Sequence, residues 1–143
     1  MNRDVIISII GQENPLDEKP DNAIELVTSG RYYKKGDKYY LSYQETEVTG
    51  FDDNTTTTLK IDGDTVTMTR FGQVNTHMVF RRGERHMGHY ETPYGSFTVG
   101  VLPDDVDVNI EDSGGDIRIK YLLEIDNNTK ATHDLHLNIR KVD

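Results

Sequence analysis

Apolar and polar residues alternate along most of this chain, with the period of two that turns one face of a β-strand to a core. Val5, Ile7 and Ile9 share a face of the first segment. A polar stretch containing Pro15 and Pro20 follows over 12–21, and Ile24 to Thr28 begins a second strand running toward Gly30. In YYKKGDKYY, Lys35-Gly36-Asp37 reads as a hairpin turn between paired tyrosines. Beyond it Tyr39, Leu41, Tyr43, Glu45 and Glu47 lie on one strand face. Leu59 and Ile61 run into Asp62-Gly63, a hairpin signal, and Val66, Met68 and Arg70 leave it.

Register follows from matching apolar faces. Setting Ile61 opposite Asp64 places Leu59 opposite Val66 and Thr57 opposite Met68. For the next hairpin, a three-residue loop at Phe71-Gly72-Gln73 sets Arg70 opposite Val74 and Val66 opposite Met78. This turns Met78 and Phe80 inward. A two-residue loop would turn Asn75, His77 and Val79 inward instead, and it buries less apolar surface. Arg82-Gly83 is a further turn. Phe97, Val99 and Val101 alternate, then Val106, Val108 and Ile110. Ser113-Gly114-Gly115-Asp116 turns the chain into Ile117, Ile119, Tyr121, Leu123 and Ile125, and Asn127-Asn128 turns it into Leu135, Leu137 and Ile139.

Nine or ten short strands joined by tight turns leave little room for helix, with at most one helical turn in 12–21 or 20–30. The pattern suggests an all-β fold, an antiparallel up-and-down barrel or a sandwich, and the prediction is a single barrel of about eight to ten strands over residues 1–143. Closure removes the exposed edges that an Ile/Val-rich meander would otherwise present.

Composition narrows the partners. With 16 Lys and Arg against 25 Asp and Glu, the net charge is −9. Nucleic acid and anionic membrane surfaces both require a cationic face, so neither is expected as a partner. No apolar run reaches a membrane span. The segment MNRDVIISIIGQEN is too interrupted for a signal peptide. The absence of cysteine excludes disulfides and thiolate chemistry and points to a cytoplasmic address. The sequons at Asn54 and Asn127 are read as chance.

YYLSYQETE (39–47), RFG (70–72), YETPYGSF (90–97) and IRIKYLLEI (117–125) occur in that order. Together they resemble the YwiB-like family of small bacterial β-barrel proteins of unknown function. The resemblance spans nearly the whole chain. It implies a calycin-like, lipocalin-related barrel with a lumen able to hold a ligand, and it implies no activity. The lipocalin G-x-W signature is absent, since the chain has no tryptophan.

The informative exceptions to the alternation are polar residues on apolar faces. Glu45 and Glu47 continue the face of Tyr39, Leu41 and Tyr43, while Arg70 continues that of Val66 and Met68. A charge in a barrel interior must be paired, because an unpaired one costs several kcal/mol. Two readings follow. Either Glu45 and Arg70 form a structural ion pair or reach solvent at the rim, or Arg70 binds an anion in a lumen lined by Tyr39, Tyr43, Tyr90 and Tyr121. In HYETPYGSF (89–97), Pro93 suits the second position of a turn ending at Gly95. That leaves Tyr90, Thr92 and Tyr94 as further lumen candidates, with His89 set aside.

The remaining patterns carry little chemistry. His86 and His89 are three apart and face opposite sides of a strand, as do His133 and His136, so they and His77 are read as surface residues without a metal. Asp104, Asp105, Asp107, Glu111 and Asp112 lack EF-hand spacing and read as a solvated edge. Threonines 55–58 read as ordinary strand residues. Arg81, Arg82 and Arg85 read as a solubilising hairpin tip or a contact for an acidic partner. There is no G-x-S-x-G elbow, and no cofactor is expected. The leading expectation is non-enzymatic binding of a small anionic or amphipathic molecule in the lumen. The alternative is a protein-interaction or regulatory module with a filled barrel. An enzyme using Arg70, Glu45 and tyrosines ranks third.

Overall fold

The computed structural model describes residues 2–15, 24–45, 55–72, 74–125 and 128–142. These form ten strands: β1 (Asn2–Pro15), β2 (Ile24–Lys35), β3 (Lys38–Gln44), β4 (Thr56–Asp62), β5 (Thr65–Phe71), β6 (Asn75–Phe80), β7 (His86–Thr92), β8 (Gly95–Glu111), β9 (Gly114–Ile125) and β10 (Asn128–Lys141). Each strand pairs antiparallel with the next, and β10 returns to β1, so the sheet is a closed up-and-down barrel. The predicted architecture and strand number hold. No helix occurs among the described residues: 24–30 is strand, and 16–23 lies outside them. Glu47, Asn54 and Asn127 also lie outside the described residues.

Alternation explains which residues meet. Val5, Ile7, Leu41, Leu59, Ile61, Val66, Phe80, Val101, Ile117, Ile119, Leu137 and Ile139 are buried in one core. Most come from the half of each strand nearest the turns at 36–37, 63–64 and 112–113. Tyr32 joins them, its hydroxyl donating to the Glu111 carbonyl at 2.8 Å. That end of the barrel is packed solid.

Two predicted registers slip without changing faces. Ile61 pairs with Val66 and Leu59 with Met68, so the turn is Gly63-Asp64 with Gly63 at a φ of 61°. Val66 pairs with Phe80 and Arg70 with Thr76, while Gln73 of the predicted loop lies outside the described residues. In both hairpins the slip is one residue on each strand. Met78 and Phe80 therefore still point inward as expected. Residues 95–111 form one strand, with a register shift between Pro103 and Asp105. One further correction concerns β9. The turn before β9 is Asp112-Ser113, because Glu111 already pairs with Gly114. Gly114 and Gly115 belong to β9, where φ values of 119° and 146° and close backbone neighbours exclude a side chain.

Candidate functional site

The other half of the barrel is hollow. A cavity of about 620 Å³, partly open to solvent, is lined mainly by apolar groups, among them Ile9, Leu26, Met68, Met78, Val99 and Leu123. This volume suits a drug-sized guest. Of the candidate residues, Tyr43, Glu45, Arg70, Tyr90 and Tyr121 line it.

Cross-strand pairing explains why these residues converge. One inward-facing row runs Tyr43–Thr57–Arg70–Thr76–Tyr90–Phe97, each residue opposite the next on strands β3 to β8. Glu45 extends this row by one inward position, its N–H donating to the Thr55 carbonyl at 2.8 Å. The Thr57 hydroxyl donates to Glu45 Oε1 at 2.6 Å, and Arg70 Nε lies 3.5 Å from the same oxygen. The Glu45 side chain is 1% exposed and that of Arg70 16%, so the carboxylate sits behind and the guanidinium nearer the lumen. Burial, then the adjacent Glu45 charge, pushes the Tyr43 phenol well above its ordinary value, with Arg70 acting in the opposite sense. Tyr43 is therefore a neutral hydrogen-bonding group at all ordinary pH values. The Thr76 hydroxyl, buried in the same row, has no hydrogen-bond partner among the described residues.

Across the lumen, His133 stacks face to face on its strand partner Tyr121, with ring centroids 5.0 Å apart and planes within 9°. Phe80 lies against Tyr121 at 4.9 Å. The expectation that His133 is a surface residue is corrected: it lines the cavity. Its signal was available, since His133 shares the strand parity of Leu135, Leu137 and Ile139. The same parity argument recovers Thr55 and Thr57, which are buried rather than ordinary strand residues.

Three candidates belong elsewhere. Tyr39 sits at the packed end, stacked on Tyr32 at 5.3 Å and donating to Asp112 at 2.6 Å. That hydrogen bond lowers the Asp112 carboxyl below its usual range and raises the Tyr39 phenol. Thr92 and Tyr94 form the turn after β7. Thr92 Oγ1 accepts from the Tyr94 N–H and donates to the Gly95 carbonyl, while the Tyr94 side chain is 97% exposed. HYETPYGSF is thus a corner with Pro93 at its second position, and Tyr90 alone among its candidates reaches the lumen. His89 points outward.

Outside the barrel, His77 pairs with His89, and its ring centroid is 6.2 Å from that of His86. Burial, then His77 and His89, lowers the His86 pKa. Among the described residues no group of three or more His, Asp or Glu side chains is arranged to hold a metal. Arg81 pairs with Glu84, and Arg85 with Glu124 at 3.2 Å, so this tip is engaged within the chain.

Residues 7–137 match the family described as a domain of unknown function, DUF1934. The chain belongs to that family. Within DUF1934 it is similar to the uncharacterized beta-barrel protein YwiB of Bacillus subtilis, strain 168. The two are 25% identical over 119 residues, covering 83% of this chain and 82% of that protein. The crystal structure of the Bacillus subtilis ywiB protein superposes with a TM-score of 0.79 at 19% identity, covering 99% of this chain and 94% of the other. At that identity the likeness establishes the ten-stranded fold shared by this DUF1934 chain, and nothing about ligands.

Proposed function

We propose that the barrel is a non-enzymatic binder of a small amphipathic molecule held in its hollow half. The observation that carries this reading is the cavity of about 620 Å³, whose largely apolar wall carries a compact polar cluster, Tyr43–Glu45–Arg70. Packing density in protein interiors leaves few voids larger than a water molecule, so a hollow of this size in a closed barrel calls for an occupant. The hollow favours binding over a packed-solid interaction module. The calycin-like comparison belongs with this reading, as does a cytoplasmic location.

The charge balance refines the ligand. Arg70 is already compensated by Glu45. An anion entering beside that pair gains little net attraction. The geometry therefore favours a neutral polar head with both donor and acceptor atoms over a simple anion. Native mass spectrometry of the purified protein tests the proposal. A reproducible non-covalent adduct, weakened in Arg70→Met, supports it. A bare protein mass together with failure to take up the neutral apolar dye N-phenyl-1-naphthylamine overturns it.

A further inference from the structure

We infer that Gly11 is the position that sets the size of the guest, leaving a slot in the cavity wall for the ligand's apolar end. This rests on the binding reading above and adds an orientation to it. Gly11 continues the inward face of Val5, Ile7 and Ile9 on β1 and lines the cavity. It lies inside a strand, where a glycine weakens β-structure and calls for a reason.

The usual reasons fail at this position. Gly36, Gly63, Gly83, Gly95, Gly114 and Gly115 have φ values that disfavour a side chain, and a Cβ at Gly30, Gly72 or Gly88 would collide with its neighbours. Gly100 has side-chain atoms of Arg85 and Glu124 within 3.5 Å. At Gly11 the φ is ordinary, and among the described residues an added Cβ would meet only Leu135 Cδ1, at 4.0 Å. Neither backbone conformation nor packing against the described residues requires glycine at this point, so what it provides is space.

The surroundings define what fits. Gly11 pairs with Leu135 on one side and Ile24 on the other, with Ile9 one inward position deeper, and all three line the cavity. Neighbouring strands lie ~4.8 Å apart, so the missing side chain leaves an apolar slot one residue wide. An alkyl chain or a ring entering edge-on suits it. Arg70 is on β5, four strands around the ten-strand ring from β1, while Tyr43 on β3 and Glu45 just beyond it stand two strands away, so the slot and the Arg70 end of the polar cluster lie on different walls. The guest is an amphipathic molecule with its alkyl or ring end at Gly11 and its hydrogen-bonding head at Tyr43–Glu45–Arg70.

The test compares wild type, Gly11→Ala and Gly11→Val by thermal unfolding and by N-phenyl-1-naphthylamine fluorescence. The inference expects Gly11→Val to fold with a Tm raised by roughly 2–4 °C, from better strand propensity and added burial. It expects dye affinity to fall at least about tenfold in Gly11→Val, with Gly11→Ala intermediate. Loss of thermal stability in both variants overturns it, since glycine would then be structural whatever the dye does. Unchanged dye affinity in a stable Gly11→Val also overturns it while leaving the binding reading intact. Wild-type protein that never takes up the dye overturns the binding reading, and the slot as a ligand feature with it.

Discussion

Removing Arg70 isolates the energetics of the polar cluster. In Arg70→Met the stem of the side chain is roughly conserved, while Glu45, 1% exposed, loses the cation 3.5 Å away. At that distance and an effective dielectric constant of about 20, the attraction is about 5 kcal/mol. Partial exposure of Arg70 and the remaining Thr57 hydrogen bond reduce the net loss to about 3 kcal/mol, at the lower end for breaking a buried pair. For a domain of this size the corresponding fall in Tm is roughly 6–12 °C. Glu45→Gln keeps an oxygen for Thr57 and costs about 1–2 kcal/mol, because Arg70 can turn toward the lumen. The double variant should lose about 2–3 kcal/mol, less than the roughly 4–5 kcal/mol of the two single losses added, giving a coupling energy of about 2 kcal/mol. Urea unfolding of the four proteins at pH 7 measures this, with unchanged m-values as the condition for comparison. Added salt should alter the coupling little, since the pair is shielded. A coupling energy below about 0.5 kcal/mol would refute the argument that the two charges are bound to each other.

Three other outcomes follow from single groups. Burial raises the Tyr32 and Tyr43 phenols above their unfolded value of 10.0, so their contribution is complete below pH 10 and is lost as pH rises beyond it. Tyr43→Phe should therefore flatten the alkaline loss of stability above pH 10, and an equally steep loss counts against it. Tyr39→Phe should move the Asp112 carboxyl titration upward toward the usual range, as followed by NMR, because the hydrogen bond from Tyr39 is what lowers it. Phe80→Ala empties a fully buried position under Tyr121 and should cost about 3–5 kcal/mol in urea unfolding; a loss under 1 kcal/mol would contradict a packed base.

Most of the barrel was legible because burial in a closed sheet depends on parity alone. A residue faces the lumen or the solvent according to whether it is an even number of positions from its neighbours on the strand. Both hairpin slips moved the pairing by one residue on each strand, which preserves parity, so the core at Val66, Met68, Met78 and Phe80 survived them. Position along the barrel axis is another matter. It depends on the stagger accumulated from strand to strand, which local alternation does not encode. Tyr39 and Tyr43 share a face and differ by four residues, yet one sits at the packed end and the other in the hollow half. Thr92 and Tyr94 were misplaced for a related reason, since the strand ends at Thr92 and parity has no meaning in a turn.

The axial split also explains how one small domain carries both stability and a hollow. The inner positions of the packed end are filled by Ile, Leu, Val, Phe80 and Tyr32, with strong burial on every strand from β1 to β6 and from β8 to β10. The hollow half draws its wall from β1 to β3 and β5 to β10, and there Gly11, two methionines and hydrogen-bonding side chains stand among the aliphatic residues. Filling that half would be simple in sequence terms: one valine at Gly11 and an apolar residue at each of Glu45 and Arg70 would suffice to begin. The chain instead keeps a buried carboxylate that must be satisfied by Thr57 and Arg70, an arrangement that apolar residues of similar volume would match or exceed in stability. A costly charge pair and an unfilled wall position in one cavity suit the proposed binding role, and folding alone requires neither.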